Sequence, residues 1–149
     1  MAGVSDVKEE VFGLQDKSFL FDFALTMHDQ VLTHIEIADG ELQIIYDKVG
    51  ENDYYIPYRK VTITYTLDPM KNDYSLSLIK PTEHGTKVDY STNDPLAISD
   101  LNRWEMLMFK WDIDMWGEMT LHFNIHKGKK YRNAQLRFTP ASIQYRWEE

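Results

Sequence analysis

Cysteine is absent from this 149-residue chain. Its absence excludes a disulfide framework, a thiolate nucleophile and any Cys-based zinc site. Glycine and proline are scarce, at seven and five, and no Gly- or Pro-rich linker divides the chain. One domain spanning residues 1–149 is therefore expected, since a chain of this size buries roughly 68–70% of its unfolded surface. No apolar run reaches the roughly 18 residues that a membrane-crossing helix requires. Residues 1–16 carry several acids and no long apolar stretch, so they do not read as a signal peptide. Together these absences predict a cytoplasmic protein.

Basic residues are outnumbered, 16 to 24, for a net charge of −8. Phosphate neutralisation drives nucleic-acid affinity, so this balance makes a nucleic-acid partner unlikely. Residues 1–60 hold 5 basic and 12 acidic residues, net −7. Residues 121–149 hold 6 and 2, net +4. An acidic front and a locally basic tail suit a charged partner surface. No G-x-S-x-G, P-loop or G-x-G-x-x-G motif occurs, and no cofactor is implied.

What the chain does have is period-2 alternation, the pattern of half-buried strands. It appears at Phe19, Phe21 and Phe23; at 31–37; and at 42–46. It returns with Val61, Ile63, Tyr65 and Leu67 on one face against Thr62, Thr64 and Thr66 on the other. Strands are also read at 74–78, 104–111, 119–125, 131–138 and 142–147. Asp39-Gly40 is a strong type I′ hairpin signal, because both turn centres need positive φ. A two-residue turn there pairs Ile37 with Leu42 and Ile35 with Ile44, placing all four on one face. The strand at 104–111 carries apolar groups on both faces, which predicts a central position. Residues 81–102 read as a long polar excursion with at most a helical turn near 95–101. Residues 1–16 read as a short helix or an arm. The expected fold is all-β: a single-domain antiparallel β-sandwich or flattened barrel of about 9–10 strands with little helix.

The stretch from His28-Asp29 through Tyr46 reads H-D-x-x-[VL]-x-x-I-x-I-x-D-G-x-L-x-I-x-Y. Leu32, Ile35, Ile37, Asp39, Gly40, Leu42, Ile44 and Tyr46 carry it. It resembles the opening hairpin of several small all-β bacterial families of immunity-type or uncharacterised proteins. That resemblance implies a cytoplasmic protein, in some families one that neutralises a toxin by binding it. It covers 28–46 and transfers no functional residue.

Candidate chemistry is sparse. His122 and His126 are four apart, but on a strand that is roughly 13 Å, too far for one zinc ion. His28-Asp29 suits a turn better than an acid–base pair. Residues 111–118 carry Asp112, Asp114 and Gly117. An EF-hand starting at Asp112 would put Trp116 at the fifth position and Phe123 at the twelfth, where acids are needed. That excludes it. Two uses remain for the segment: a hairpin connection with its tryptophans on the core, or an exposed recognition tip. Tyr54-Tyr55-Ile56-Pro57-Tyr58 follows a polar run and offers a second aromatic patch. Lys127, Lys129, Lys130 and Arg132 make a basic turn, solvated or facing an acidic partner.

The reading that follows is a non-catalytic, acidic binding protein of immunity or inhibitor type that occludes a basic partner protein. Its expected contacts are Asp47, Glu51, Asp53, Tyr54 and Tyr55, with Asp112, Asp114 and Trp116 as a second patch. No metal site and no catalytic residue are expected, and the protein is read as a monomer or homodimer. The alternatives are a module binding a carbohydrate or lipid-like ligand through Trp111, Trp116, Tyr54 and Tyr58, and an enzyme with a His/Asp acid–base pair.

Overall fold

The structure, a computed structural model, describes residues 7–13, 31–47 and 59–148. Phe19–Phe23, His28-Asp29 and the 54–58 aromatic run lie outside the described residues. Those described form eleven strands. They are β1 (Val7–Gly13), β2 (Val31–Leu32), β3 (His34–Ala38), β4 (Glu41–Tyr46), β5 (Lys60–Leu67), β6 (Tyr74–Thr82), β7 (Gly85–Thr92), β8 (Glu105–Ile113), β9 (Met119–Lys127), β10 (Lys130–Phe138) and β11 (Pro140–Glu148). Among the described residues, one short helix, α1 (Pro95–Ser99), runs into a 3-10 turn over Asp100–Arg103.

The strands make two antiparallel sheets, in the orders β1-β11-β5-β4-β3 and β2-β8-β9-β10-β6-β7. The expected all-β sandwich is present. Val7–Gly13 is neither helix nor free arm: it pairs with β11 from Val7 opposite Glu148 to Gly13 opposite Ser142.

Alternation sets the core. On β5, Val61, Ile63, Tyr65 and Leu67 are buried, while Thr62 and Thr64 lie on the outer face. The Asp39-Gly40 turn has positive φ at both centres, +53° and +74°, and Ile37 pairs with Leu42 and Ile35 with Ile44. The second sheet contributes Leu76, Met106, Met108, Met119, Leu121, Phe123, Ile125, Leu136 and Phe138. Tyr46, Tyr65 and Tyr145 lie in the middle of the core, each at most 1% exposed. Burial raises all three phenol pKa values above the ordinary 10, and for Tyr46 and Tyr145 the neighbouring phenols add to it. Tyr65 also meets Phe138 edge-on, with centroids 4.9 Å apart.

The two-sided apolar pattern of β8 has a local cause. Met106 and Met108 face the core, but a bulge between Met108 and Lys110 shifts the register against β9. Beyond it Trp111 pairs with Leu121 and Ile113 with Met119, so odd positions now face inward. One extra residue swaps the faces. The face switch explains the inward Trp111 and Ile113, while β8 itself is flanked by β2 and β9, with the outward Leu107 opposite Val31 of β2.

The expected excursion at 81–102 is half strand. β6 continues to Thr82 and turns into β7, with Pro81 opposite Thr86. Proline is tolerated there because β10 pairs with β6 only over Tyr74 to Ile79, leaving the Pro81 edge without a ladder on that side. The helical turn forms where expected. Asp94 caps it by accepting from the Leu96 amide at 3.1 Å, and Ile98 and Leu101 enter the core. The Asn102 side chain then pairs with β3 as a strand would. Its Oδ1 accepts from the Ile35 N–H at 2.7 Å and its Nδ2 donates to the Ile35 carbonyl at 2.9 Å. That covers part of an open sheet edge.

Candidate partner-binding surface

Two chain crossings between the sheets fall at one end of the sandwich. The β5–β6 loop (68–73) is one, and the β10–β11 corner at Thr139 is the other. The Asp68 N–H donates to the Thr139 carbonyl at 2.9 Å, and the Leu67 N–H to the Gly40 carbonyl at 2.9 Å. These bonds bring the β3–β4 turn, the β5–β6 loop and the corner together. Across the second sheet, Tyr74, Phe138 and Met119 form one row. The β5–β6 loop and the β8–β9 tip therefore leave the same end of strands two apart, about 10 Å.

The tip is built by Asp114. Its Oδ1 accepts from the Trp116 N–H at 2.8 Å and the Glu118 N–H at 3.0 Å. The Asp114 N–H donates to the Glu118 carbonyl at 3.0 Å, and Gly117 N–H to the Asp114 carbonyl at 3.2 Å. Gly117 sits at φ +84°, a backbone position that disfavours a side chain. This Asx arrangement holds Met115 and Trp116 outward, 86% and 73% exposed. The other three tryptophans, Trp104, Trp111 and Trp147, pack against the core. Trp111 thus packs as a hairpin connection on the core would place it, while Trp116 is exposed at the tip. Packed against the core, Trp111 is only partly exposed.

The neighbouring loop repeats the chemistry. Asp68 Oδ1 accepts from the Met70 N–H at 2.9 Å, and Met70 is 90% exposed. Among the described residues, the turn and loops at this end carry Asp39, Glu41, Asp68, Asp73, Asp114 and Glu118, against one cation, Lys71. Three exposed apolar side chains thus stand among six carboxylates. Of the residues at this end, the sequence reading singled out Asp114 and Trp116 as contacts and did not single out Met70 or the four acids on the other loops. The signal was loop parity: in an antiparallel meander alternate connections share an end.

Asp47 is elsewhere. It follows β4 at the β2–β3 corner, where it accepts from the Thr33 hydroxyl at 3.3 Å and lies 4.0 Å from the Lys60 Nζ. Leu32, beside that corner, pairs with Met106 near the start of β8. From Met106 to Asp114 the strand covers roughly 25 Å, so Asp47 and the 114–118 tip do not form one surface. Glu51, Asp53, Tyr54 and Tyr55 lie outside the described residues.

Asp112 faces out from β8, but is engaged within the sheet. Its Oδ2 is 2.9 Å from the His122 Nε2 and 3.6 Å from the Lys110 Nζ. His126 pairs in the same way with Glu105 across β8 and β9. A histidine beside a carboxylate can pass a proton, and both pairs lie on an open sheet face. Among the described residues, no group of three or more His, Asp or Glu could hold a metal ion.

The basic turn is mostly used inside the fold. Lys127 and Lys130 each lie 5.6 Å from the centroid of the Trp104 ring. Arg132 Nε donates to Asp89 at 2.9 Å, with both side chains largely covered.

Among the described residues, no helix is long and apolar enough to cross a membrane. What fold and surface together define is a class: an antiparallel all-β sandwich with an acidic, apolar-studded loop end. Comparison with protein-family models, curated proteins and solved structures finds no match to this chain.

Proposed function

We propose that this is a non-catalytic binding protein that occludes a basic partner protein with the loop end of its sandwich. The observation that carries the reading is Trp116, held in solvent by the Asp114 turn at the end of the sandwich whose loops carry the acids. Tryptophan is enriched among residues that dominate binding energy, and a preformed tip loses little freedom on docking. The carboxylates supply steering, which raises the association rate at low salt. Absence of cysteine and the resemblance of 28–46 to immunity-type families support a bacterial, cytoplasmic inhibitor as the setting.

The test has two stages. The protein and its Trp116→Ala variant are used as baits in the native lysate near physiological salt, with salt-step elution. A basic protein retained by the wild type and lost from the variant supports the reading. Kinetics with that protein then follow. Trp116→Ala should weaken affinity by about 2 kcal/mol, mostly through faster dissociation. Asp68→Lys with Asp73→Lys should slow association and flatten its salt dependence. Capture that ignores both changes would sink the proposal.

A further inference from the structure

The outer face of the five-stranded sheet carries a second feature, independent of the loop end. Three rows cross it by strand register. Gln43, Thr64 and Gln144 make one; Ile45, Thr62 and Arg146 the next; Lys60 and Glu148 the third. These residues line an open concavity of about 410 Å³, within the roughly 300–1,000 Å³ of small-molecule sites. Most outward positions on β5 are only half-exposed, as expected inside a concave face.

The chemistry of the lining narrows the ligand. Thr62 and Thr64 each offer a hydroxyl that donates and accepts; Gln43 and Gln144 each offer an amide that does both. Gln43 Nε2 already donates to Thr64 Oγ1 at 3.4 Å, a long bond that a ligand hydroxyl can replace. Strand spacing and rise set these groups on a grid of about 5 by 7 Å, close to the width of one hexose ring. The cations do not favour an anion. Lys60 lies 4.0 Å from Asp47, and Arg146 Nε lies 3.9 Å from Glu148, so the local charge is balanced. Phosphate or carboxylate would meet acids as well as bases.

We propose that this concave face binds a neutral, polyhydroxylated small molecule of mono- or disaccharide size. Gln43, Thr62, Thr64 and Gln144 exchange hydrogen bonds with its hydroxyls, and Ile45 provides a small apolar contact. The described lining contains no aromatic ring to stack on a sugar, so the expected dissociation constant is weak, on the order of 1 mM.

The experiment is an amide-resolved NMR titration of the full chain with glucose, N-acetylglucosamine and maltose, and with inorganic phosphate as a separate arm. Saturable shifts at residues 43, 62, 64 and 144, without matching shifts at 114–118, support the proposal. Thr64→Val keeps the β-branched shape and removes the hydroxyl, and should weaken that binding by about tenfold. Gln144→Ala serves as the second variant should Thr64→Val fail to fold. No saturable response to any saccharide overturns the proposal. Tighter binding of phosphate than of every saccharide overturns it too, as does a response unaffected by the folded variants. None of these outcomes bears on the partner reading, which rests on the other surface.

Discussion

At one end of the sandwich Trp116 stands in solvent among carboxylates; at the other, Trp104 is packed on the core beneath Lys127 and Lys130. The same side chain is placed for opposite purposes. At the cationic end the exposed Lys127 and Lys130 lie against an aromatic ring and Arg132 pairs with Asp89. At the acidic end the carboxylates of Asp68 and Asp114 accept from their own loop backbones. That shapes the loops while leaving the negative charge outside. One end keeps its tryptophan partly buried and engages its cations with the fold. The other displays its tryptophan and its charge in solvent.

Both ends depend on one core, and the change expected to have the largest effect removes them together. The raised pKa values of Tyr46, Tyr65 and Tyr145 come mainly from burial. Their unfolded value is near 10. The stability linked to their neutral form is fully present below that pH and is lost as pH rises above it toward the folded values. Absorbance at 295 nm, followed with far-UV circular dichroism, should show these three of the nine tyrosines ionising only as the sheet signal collapses. Titration of all nine with the sheet intact would mean the three are not buried as described.

The tryptophan contrast gives the next effect. Trp104→Ala should cost about 3 kcal/mol of unfolding free energy, near the lower end for large aromatic deletions because the ring is only partly buried. Trp116→Ala should change stability by less than about 0.5 kcal/mol, since it removes no packing. Urea denaturation of both variants measures the difference. Equal losses would erase the distinction between the ends. Fluorescence sharpens it: Trp116→Phe should remove most of the acrylamide-quenchable emission, and Trp104→Phe little of it.

How far this contrast was legible in the sequence depends on the interaction that sets each part. Alternation and the Asp39-Gly40 turn are local, so the sandwich, the β3–β4 register and the core face of β5 were readable. The tip was half readable. Asp112 to Gly117 marked a hairpin, but which tryptophan packs depends on the β8 bulge, which inverts the face between Met108 and Trp111. Nothing in the residues alone marks where that extra residue sits. β7 was missed because Val88 and Tyr90 alternate without being buried, so polarity and Pro81 outweighed the pattern. The halves of the chain also misassigned the charge. The acidic end draws Asp39 and Glu41 from the net −7 front half, but Asp68, Asp73, Asp114 and Glu118 from the remainder. Asp47, from that acidic half, lies at the other end. Charge along a chain becomes charge on a surface only after the loops are assigned to ends.

A smaller effect tests whether Asp114 shapes the tip or only charges it. Asp114→Ala loses two accepted backbone hydrogen bonds at an exposed turn and should cost about 1 kcal/mol. Asp114→Asn keeps an acceptor oxygen while removing the charge, and should recover most of that loss. The two variants therefore separate shape from charge in binding. If the turn is what matters, Asn should bind like the wild type at high salt and associate slightly more slowly at low salt. If Asn and Ala were equally destabilised, the Asx turn would not be what holds Trp116 outward.

The smallest effect lies at the cationic end, where two lysines share one ring. Each cation–π contact at a solvent-exposed site contributes roughly 0.5–1 kcal/mol. Lys127 and Lys130 also face each other across the β9–β10 turn, and like charges directly opposite repel. Removing either one loses a contact and relieves that repulsion, so Lys127→Met and Lys130→Met alone should each change stability by about 0.5 kcal/mol or less. The double variant loses both contacts with only one repulsion to relieve, and should therefore cost more than the sum of the singles. A double-mutant cycle reads that non-additivity directly. Strict additivity would mean that the two ammonium groups do not repel across the turn, and no loss in any of the three variants would mean that Trp104 holds this end together by packing alone.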